Sequence, residues 1–189
     1  MKYGLKSVSM DDISRTLGIS KKTLYQYVEN KKDLVQQIFA KHIEEEEAAI
    51  KEIVAESGDA VEELLGIAKY ITSLLREMSP TTLYDIQKYY GDIWQMVQKL
   101  HNKYIYQTIK NNMERGITQG LYRADLNPDI VAKLYVGKTF IIVDEEVFPV
   151  REYNIEQLYW EYMRYHIHGI ASAKGLKLLE KYTKHTTDD

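Results

Sequence analysis

The chain has 189 residues, with 25 Lys and Arg against 28 Asp and Glu, a formal net charge of −3 and 44% hydrophobic residues. This balance supplies enough apolar surface for a folded core and excludes disorder driven by like charge. The lack of cysteine excludes disulfides, thiolate metal sites and cysteine nucleophiles. With no signal-peptide pattern and no apolar run of about 20 residues, we expect a cytoplasmic protein without a membrane span.

Charge is unevenly distributed along the chain. Residues 1–34 carry seven basic and four acidic side chains, a net charge of +3, which leaves −6 for the remainder. A basic segment joined to a larger acidic one predicts that the N-terminal segment, the head, binds an anion and that the rest of the chain, the body, has another function.

The first predicted elements are two short helices around a tight turn. Ser9 is placed to cap the first helix, whose opening acidic residues complement the positive helix end. In the turn, Gly18 suits the left-handed conformation, Ile19 would be an apolar plug, and Ser20 would cap the second helix. This pattern predicts a helix-turn-helix.

The second helix, predicted over residues 21–28, has distinct faces. Leu24 and Val28 lie four residues apart and are expected to point inward. The residues left to solvent or to a ligand are Lys21, Lys22, Thr23, Tyr25, Gln26 and Tyr27.

Those exposed residues are chemically suited to DNA, although an ordinary surface helix is the alternative interpretation. Two cations at a helix start oppose its dipole, which favours a polyanion as partner. Gln26 can pair with adenine and the Thr23 methyl can touch thymine. The hydroxyls of Tyr25 and Tyr27 can reach phosphates.

Apolar residues then recur at three- and four-residue steps, which predicts an all-α fold. The first long helix begins after Asn30 and closes at Gly58, and the second stops before Pro80. A short helix over residues 81–90 and a longer one over residues 93–117 follow. The next begins at Asn127-Pro128, and residues 139–143 could instead form a strand. The last spans residues 155–173, ends near Gly175, and leaves a polar tail over residues 185–189.

Four consecutive glutamates, residues 44–47, lie within the first long helix. Carboxylates are rarely buried without partners, so we expect a solvated face and no metal site.

The body contains an unusual number of tyrosines, since the chain has 16 of them against three phenylalanines. A tyrosine ring with a polar tip suits a cavity for an amphipathic or aromatic molecule, although core packing is the simpler interpretation of each one. The pocket candidates are Tyr70, Trp94, Met96, Tyr104 and Phe140.

The last long helix offers a candidate dimer contact. Gly169 and Ala173 are small, lie four residues apart and share a helical face with Tyr162 and His166, so two helices could approach closely there. His166 and His168 point about 200° apart on a helix and are not expected to chelate one metal ion.

Residues 9–34 resemble the DNA-binding domain of TetR/AcrR-type transcriptional regulators. The similarity is densest at Gly18-Ile19-Ser20, at Thr23-Leu24-Tyr25 and at Asn30-Lys31-Lys32-Asp33-Leu34. It implies that residues 21–28 are the recognition helix, that Lys21, Lys22, Thr23, Tyr25 and Tyr27 meet DNA, and that Ser9 and Lys31 contact phosphates. For the remaining residues it implies a helical body that dimerises through its last two long helices and holds a small-molecule pocket.

One feature departs from that family. An additional helix normally precedes this segment and packs over it, whereas only residues 1–3 stand before Gly4. Without such a helix, Val8, Ile13 and Leu24 would lose apolar cover worth roughly 1.5–3 kcal/mol each. We expect Met1 to be an internal residue of a longer chain. A genuine truncation that impairs DNA binding is the alternative.

The sequence therefore predicts a DNA-binding domain at residues 1–39 and a ligand-binding and dimerisation domain at residues 40–189. The expected protein is a homodimeric regulator, typically a repressor, that binds a pseudo-palindromic double-stranded operator in major grooves about 34 Å apart and is released by a small effector. No cofactor is expected. The alternative is a helical sensing or protein-interaction module that does not bind DNA. The absence of a phosphate loop, a nucleophile elbow and an HExxH motif argues against an enzyme.

Overall fold

A computed structural model describes residues 4–78 and 81–184 and confirms the all-α prediction. Its helices are α1 (Met10–Thr16), α2 (Lys21–Leu24), α3 (Lys31–Glu56), α4 (Ala60–Glu77), α5 (Thr82–Tyr89), α6 (Gly91–Lys99), α7 (Tyr106–Thr118), α8 (Pro128–Ile142), α9 (Ile155–Ile170) and α10 (Ala173–Lys184). A π-helical segment, Leu100–Ile105, joins α6 to α7. None of the helices in the described ranges is long and apolar enough to cross a membrane.

A small core joins the N-terminal helices to the body. It consists of Leu5, Val35, Ile86 and Ile93, with Phe39, Tyr90 and Trp94 packed against it. Two polar contacts accompany it: the Lys6 backbone N–H donates to Asp85 Oδ2 at 3.2 Å, and Lys32 forms an ion pair with Asp92. The N-terminal segment therefore rests on α5 and α6.

The main core lies among α4, α7, α8, α9 and α10. Fully buried side chains at its centre include Leu64, Ile109, Met113 and Met163. A buried polar network closes one end, where the Tyr122 hydroxyl donates to the Ala60 carbonyl at 2.8 Å and to Asn112 Oδ1 at 2.9 Å. These bonds satisfy polar groups that would otherwise be stranded in the core.

The proposed boundary between residues 39 and 40 lies inside α3, a continuous helix of 26 residues. Residues of α3 contribute to both cores, since Val35 belongs to the small one and Ile50 to the main one. The two parts of the chain are thus joined by a stiff element.

Two predicted helices differ in their course, and for a third the structure decides between two alternatives. Residues 93–117 do not form one α-helix, because the π-helical segment interrupts them. Residues 139–142 belong to α8, which excludes the alternative strand. The last predicted helix ends at Ile170, and Gly175 lies within α10. The predicted polar tail, residues 185–189, lies outside the described residues.

The break before α10 has a tertiary cause. The chain at Ala171 forms a bridge with Tyr122, and the Ser172 N–H donates to the Leu121 carbonyl at 2.9 Å. A Cβ on Gly175 would lie 2.0 Å from that same carbonyl oxygen, so glycine permits the close approach of α10. These partners are about 50 residues away in sequence, where helical periodicity gives no signal of them.

Candidate nucleic-acid interface and ligand cavity

Two side-chain caps and one glycine turn fix the geometry of the helix-turn-helix. The Ser9 hydroxyl accepts from the Asp12 N–H at 3.1 Å, while the Asp12 side chain accepts from the Ser9 N–H. The Ser9 hydroxyl and then the Ser9 N–H, which both donate to the Asp12 carboxylate, lower the pKa of that carboxyl. Gly18 has a φ of 67°, in the left-handed region, and Ser20 Oγ accepts from the Thr23 N–H at 3.0 Å. The predicted caps and turn are confirmed.

The second helix is shorter than predicted, since regular α-helix covers only Lys21–Leu24. Beyond it the backbone continues in tighter turns, with the Gln26 N–H donating to the Thr23 carbonyl and the Tyr27 N–H to the Leu24 carbonyl, both at 3.1 Å. This 3₁₀-like winding still presents consecutive side chains outward.

The predicted division into faces is confirmed. Leu24 and Val28 are each 5% exposed, whereas Tyr25 and Tyr27 are 49% and 75% exposed. Lys21, Lys22 and Gln26 are also exposed, and Thr23 is half-buried. We call the residues Lys21, Lys22, Thr23, Tyr25, Gln26 and Tyr27 the recognition surface.

The lysines near this surface differ in their ion-pair and hydrogen-bond partners. Lys21 forms an ion pair with Asp11 at the start of α1, and Lys31 Nζ donates to the Lys6 carbonyl at 3.4 Å. Lys22 has no ion pair with any described residue. The Ser9 hydroxyl donates to Asp12 Oδ2 at 2.6 Å.

The prediction that Ile19 plugs the turn is wrong, because Ile19 is 37% exposed. Leu17, at the end of α1, is also exposed, at 61%. No described element covers this side of the turn. Among the residues expected to lose cover, Leu24 is buried, and Val8 and Ile13 are half-buried.

A cavity of about 410 Å³ lies between the small core and the main core. Its volume falls within the range of about 300–1,000 Å³ that is typical of small-molecule sites. The lining comes from α3, α4, α5, α6, the π-helical segment, α8 and α9. Of the five pocket candidates, Tyr70, Trp94 and Phe140 line it.

The other two pocket candidates are wrong, because Met96 and Tyr104 do not line the cavity. Met96 and Tyr104 each lie one residue before a lining position, Val97 and Ile105 respectively. Tyr104 lies within the π-helical segment, whose shift of helical phase a pattern at α-helical spacing does not anticipate. Tyr104 instead donates its hydroxyl to the Glu47 carbonyl at 3.0 Å.

Glu46 lines the cavity, contrary to the prediction of a fully solvated glutamate run. Burial, together with the neighbouring charge of Glu47, raises the pKa of its carboxyl to about 7. A sequence signal for this position exists, because Glu46 is in helical phase with Ile43, Ile50 and Ile53. Glu44 and Glu47 are exposed, as predicted.

His101 is a second functional group that the sequence analysis missed. Its Nδ1 lies 3.2 Å from Thr139 Oγ1, and its ring centroid lies 5.2 Å from that of Phe140. Burial lowers the pKa of His101 to about 4, so the ring is neutral at pH 7. The neutral His101 ring can donate or accept a hydrogen bond with a ligand, but it carries no positive charge.

Two of the proposed dimer contacts need correction, because Tyr162 and His166 are only 8% and 6% exposed. Both face α8, where the Tyr162 hydroxyl donates to the Tyr135 carbonyl at 2.9 Å and the His166 ring meets the Tyr135 ring edge to face. Gly169 and Ala173 are exposed. Among the described residues, no cluster of three or more acidic or histidine side chains could hold a metal.

An exposed apolar face instead runs along α8 and α9. On α8, Ile130, Leu134 and Ile141 are 54%, 55% and 49% exposed at helical spacing. On α9, Trp160 is 38% and Tyr165 is 70% exposed. The Lys138 ammonium lies 4.5 Å from the Tyr165 ring centroid, which places the two helices on one surface. We call these exposed apolar residues the α8–α9 face.

Comparison with known proteins agrees with this architecture. A family model described as bacterial regulatory proteins, tetR family, matches residues 1–38. The chain is 25% identical over 146 residues to the uncharacterized HTH-type transcriptional regulator YvaF of Bacillus subtilis strain 168, covering 77% of this chain and 75% of YvaF.

Two solved structures share the fold. A TetR family regulator from Agrobacterium tumefaciens has 19% identity and a TM-score of 0.70, with 89% of each chain covered. FadR from Bacillus subtilis, solved in complex with stearoyl-CoA, has 18% identity and a TM-score of 0.62 over 88% of this chain and 90% of FadR. The helix-turn-helix segment is thus similar to the tetR family of bacterial regulatory proteins, the chain is similar to an HTH-type transcriptional regulator, and its fold is that of solved TetR family regulators.

Proposed function

We propose that the protein is a ligand-responsive transcriptional regulator that binds DNA through the recognition surface and is released from its operator by a small effector. The observation that carries the proposal is the helix-turn-helix itself. Its caps and its glycine turn hold the recognition surface outward, while Leu24 and Val28 anchor it from behind. A major groove admits an element of this size and chemistry.

Within this proposal the residues of the recognition surface make different contacts with DNA. Lys22, which has no ion pair with any residue that the structure describes, neutralises one phosphate. Lys21 leaves its ion pair with Asp11 and neutralises a second phosphate. Gln26 is exposed and reads a base edge, with adenine as its natural partner. Tyr25 and Tyr27 position the helix through their hydroxyls.

The position of the cavity supports a coupling between ligand binding and the head, the N-terminal part of the chain that carries the helix-turn-helix. Leu5, Phe39 and Trp94 belong to, or pack against, the small core beneath the head, and all three also line the cavity. A ligand that moves these side chains changes the support of α3 and α6, and with it the orientation of the recognition surface. Such an effector acts by binding one orientation better than the other.

The α8–α9 face is the proposed dimer interface. Contiguous exposed apolar side chains on two neighbouring helices are typical of association surfaces. A twofold pairing of this face would combine four helices and carry two recognition surfaces, as a pseudo-palindromic operator requires.

Capture of genomic fragments by the purified protein, followed by sequencing, tests the proposed function. We expect enrichment of a pseudo-palindromic sequence near a gene start, and its loss in a double variant, Lys22→Ala with Gln26→Ala. The control is Lys51→Ala, which removes an exposed cation from α3. Fragments without a shared sequence would contradict a sequence-specific regulator, and no capture above background would favour the module that does not bind DNA.

A further inference from the structure

We propose that the cavity accepts an amphipathic organic cation, whose positive group pairs with Glu46 and whose apolar body packs against the surrounding aromatic and aliphatic side chains. The proposal rests on the proposed function, because it names the chemical class of the effector. It is carried by the placement of one carboxylate, by the charges that share the cavity, and by the aromatic rings around it.

Glu46 is an acid in a position that otherwise calls for an apolar residue. It lies between Ile43 and Ile50 on the face of α3 that borders the cavity. Its carboxylate has no hydrogen bond or ion pair within the described part of the chain. Glu46 is half-buried, and a carboxylate withdrawn from water without a partner is costly, so a cation from outside would supply the missing partner.

The charges around the cavity have a single sign. Its described lining contains Glu45, Glu46 and Glu77 and neither lysine nor arginine. His42 and His101 also line it, but His101 is neutral and His42 lies 3.6 Å from Glu45 in a contact near the surface. A ligand with a carboxylate or phosphate would have to bring its charge beside Glu46 with no positive side chain to balance it.

The aromatic lining is also suited to a cation. Trp94 and Phe140 meet edge to face with ring centroids 5.6 Å apart, and the rings of Tyr70, Tyr135 and Tyr159 line the same cavity. The charge of Glu46 helps to raise the pKa of these three tyrosines, although burial is the larger cause. Faces of aromatic rings attract alkylammonium and similar cations.

The rest of the cavity wall favours a ligand with a large hydrophobic portion. Leucine, isoleucine and valine make up just over half of the described lining residues, and α3 and α4 contribute half of these. Burial of each ligand methylene there strengthens binding by about fourfold. A small hydrophilic cation would leave this wall uncovered, so the expected ligand combines one cationic group with an alkyl or aryl portion.

Calorimetric titration with three probes of equal chain length tests the proposal: decyltrimethylammonium, decanol and decanoate, all below their micelle concentrations. We expect decyltrimethylammonium to bind at least about tenfold more tightly than decanoate. Glu46→Gln should weaken decyltrimethylammonium by about 10- to 100-fold and leave decanol within about twofold. Glu44→Gln, an exposed glutamate of the same helix, is the matched control and should behave as the parent protein.

The pH dependence provides a second readout. A permanent cation binds the ionised carboxyl, so its affinity should rise about tenfold from pH 6 to pH 8 as a group of pKa about 7 ionises. The titratable groups that share the cavity are His42, Glu45, Glu77, His101 and the tyrosines of α4, α8 and α9. Glu46→Gln should abolish the rise, and a slope that persists in this variant would belong to those groups.

Two results would overturn the inference: decanoate binding as tightly as decyltrimethylammonium, or none of the probes binding to a folded protein. Failure of the proposed function is distinguishable from either. Binding of decyltrimethylammonium that depends on Glu46 but leaves DNA affinity unchanged would support the ligand class and contradict the ligand-responsive regulator.

Discussion

Lys22, Gln26 and Tyr27 share an exposed surface, although only Lys22 lies in regular α-helix. Each side chain offers a different interaction with DNA, so single substitutions separate phosphate contacts from base contacts. A lysine contributes a charge that does not depend on sequence, whereas a glutamine amide contributes paired hydrogen bonds to one base.

We expect Lys22→Ala to weaken binding of every DNA sequence similarly and to lower the slope of log affinity against log salt by about 1. Lys21→Ala should act in the same direction. Gln26→Ala or Thr23→Ala should cost about 1–3 kcal/mol on the operator and relax preference at particular bases. Fluorescence anisotropy over a salt series, with Lys51→Ala as control, measures both effects. Unchanged affinity in all four variants would contradict the assignment of this surface.

Glu46 makes stability depend on pH even without a ligand. Its folded-state pKa of about 7 lies above the ordinary glutamate pKa of 4.5, so the folded protein holds this proton more tightly than the unfolded chain does. The associated stability is complete below about pH 4.5 and is lost as pH rises through 7. The histidines with lowered pKa act in the opposite direction but do so equally in a Glu46 variant.

We therefore expect Glu46→Gln to raise the free energy of unfolding by about 1–3 kcal/mol at pH 8, with the gain falling toward zero at pH 4. Urea unfolding at several pH values provides the measurement. Glu44→Gln should show no such trend. A Glu46→Gln protein no more stable than the parent at pH 8 would show that the carboxyl is not desolvated.

At the scale of elements, local signals were predictable and distant ones were not. Caps at Ser9, Asn30 and Asn127 follow from residues within one turn, and all three are observed. The break at Ala171 depends on Tyr122, far away in sequence, and the phase shift at His101 depends on a π-helical turn. Periodicity describes a helix that is assumed regular, and these features interrupt it.

The same limit applies to which face of a helix is buried. Tyr162 and His166 satisfy the spacing for a dimer contact, yet α8 covers them. Spacing identifies residues that share a face, and only packing decides whether that face meets the core or a second molecule. Glu46 is the reverse case, since its phase with Ile43 and Ile50 indicated a core-facing position that its charge concealed.

The close packing of α7 against Tyr122 gives a prediction at this scale. A Cβ at Gly116 would lie 2.1 Å from the Tyr122 ring, whose hydroxyl is held by Asn112. Gly116→Ala should therefore lower the free energy of unfolding by about 1–3 kcal/mol. Gly91→Ala is the control, because a Cβ there meets nothing within 4 Å and should change stability by less than about 0.5 kcal/mol. Equal stability of both variants in chemical unfolding would contradict the packing.

At the scale of the whole molecule, the cavity lies where head and body meet. Phe39 and Trp94 contact both the cavity and the small core, and α3 runs without interruption from one part to the other. A ligand can therefore act on the head without any large rearrangement of the main core. The α8–α9 face lies on the body and is available for pairing two such molecules.

We expect Leu134→Glu and Trp160→Glu each to convert a dimer into a folded monomer, because a charge would be buried at the centre of the interface. Size-exclusion chromatography with light scattering gives the mass, and circular dichroism verifies folding. Ala55→Glu places the same charge on an exposed position of α3 and should leave the dimer intact. A dimer that survives both α8–α9 substitutions would place the interface elsewhere.

DNA binding is tested most directly by an anisotropy titration of the protein against DNA from upstream of its own gene. The titration is made at two salt concentrations with nonspecific competitor. The account predicts tight binding that resists competitor, weakens with salt and is reduced by Lys22→Ala. Binding no tighter than to competitor, and equal in the parent protein and Lys22→Ala, would contradict it.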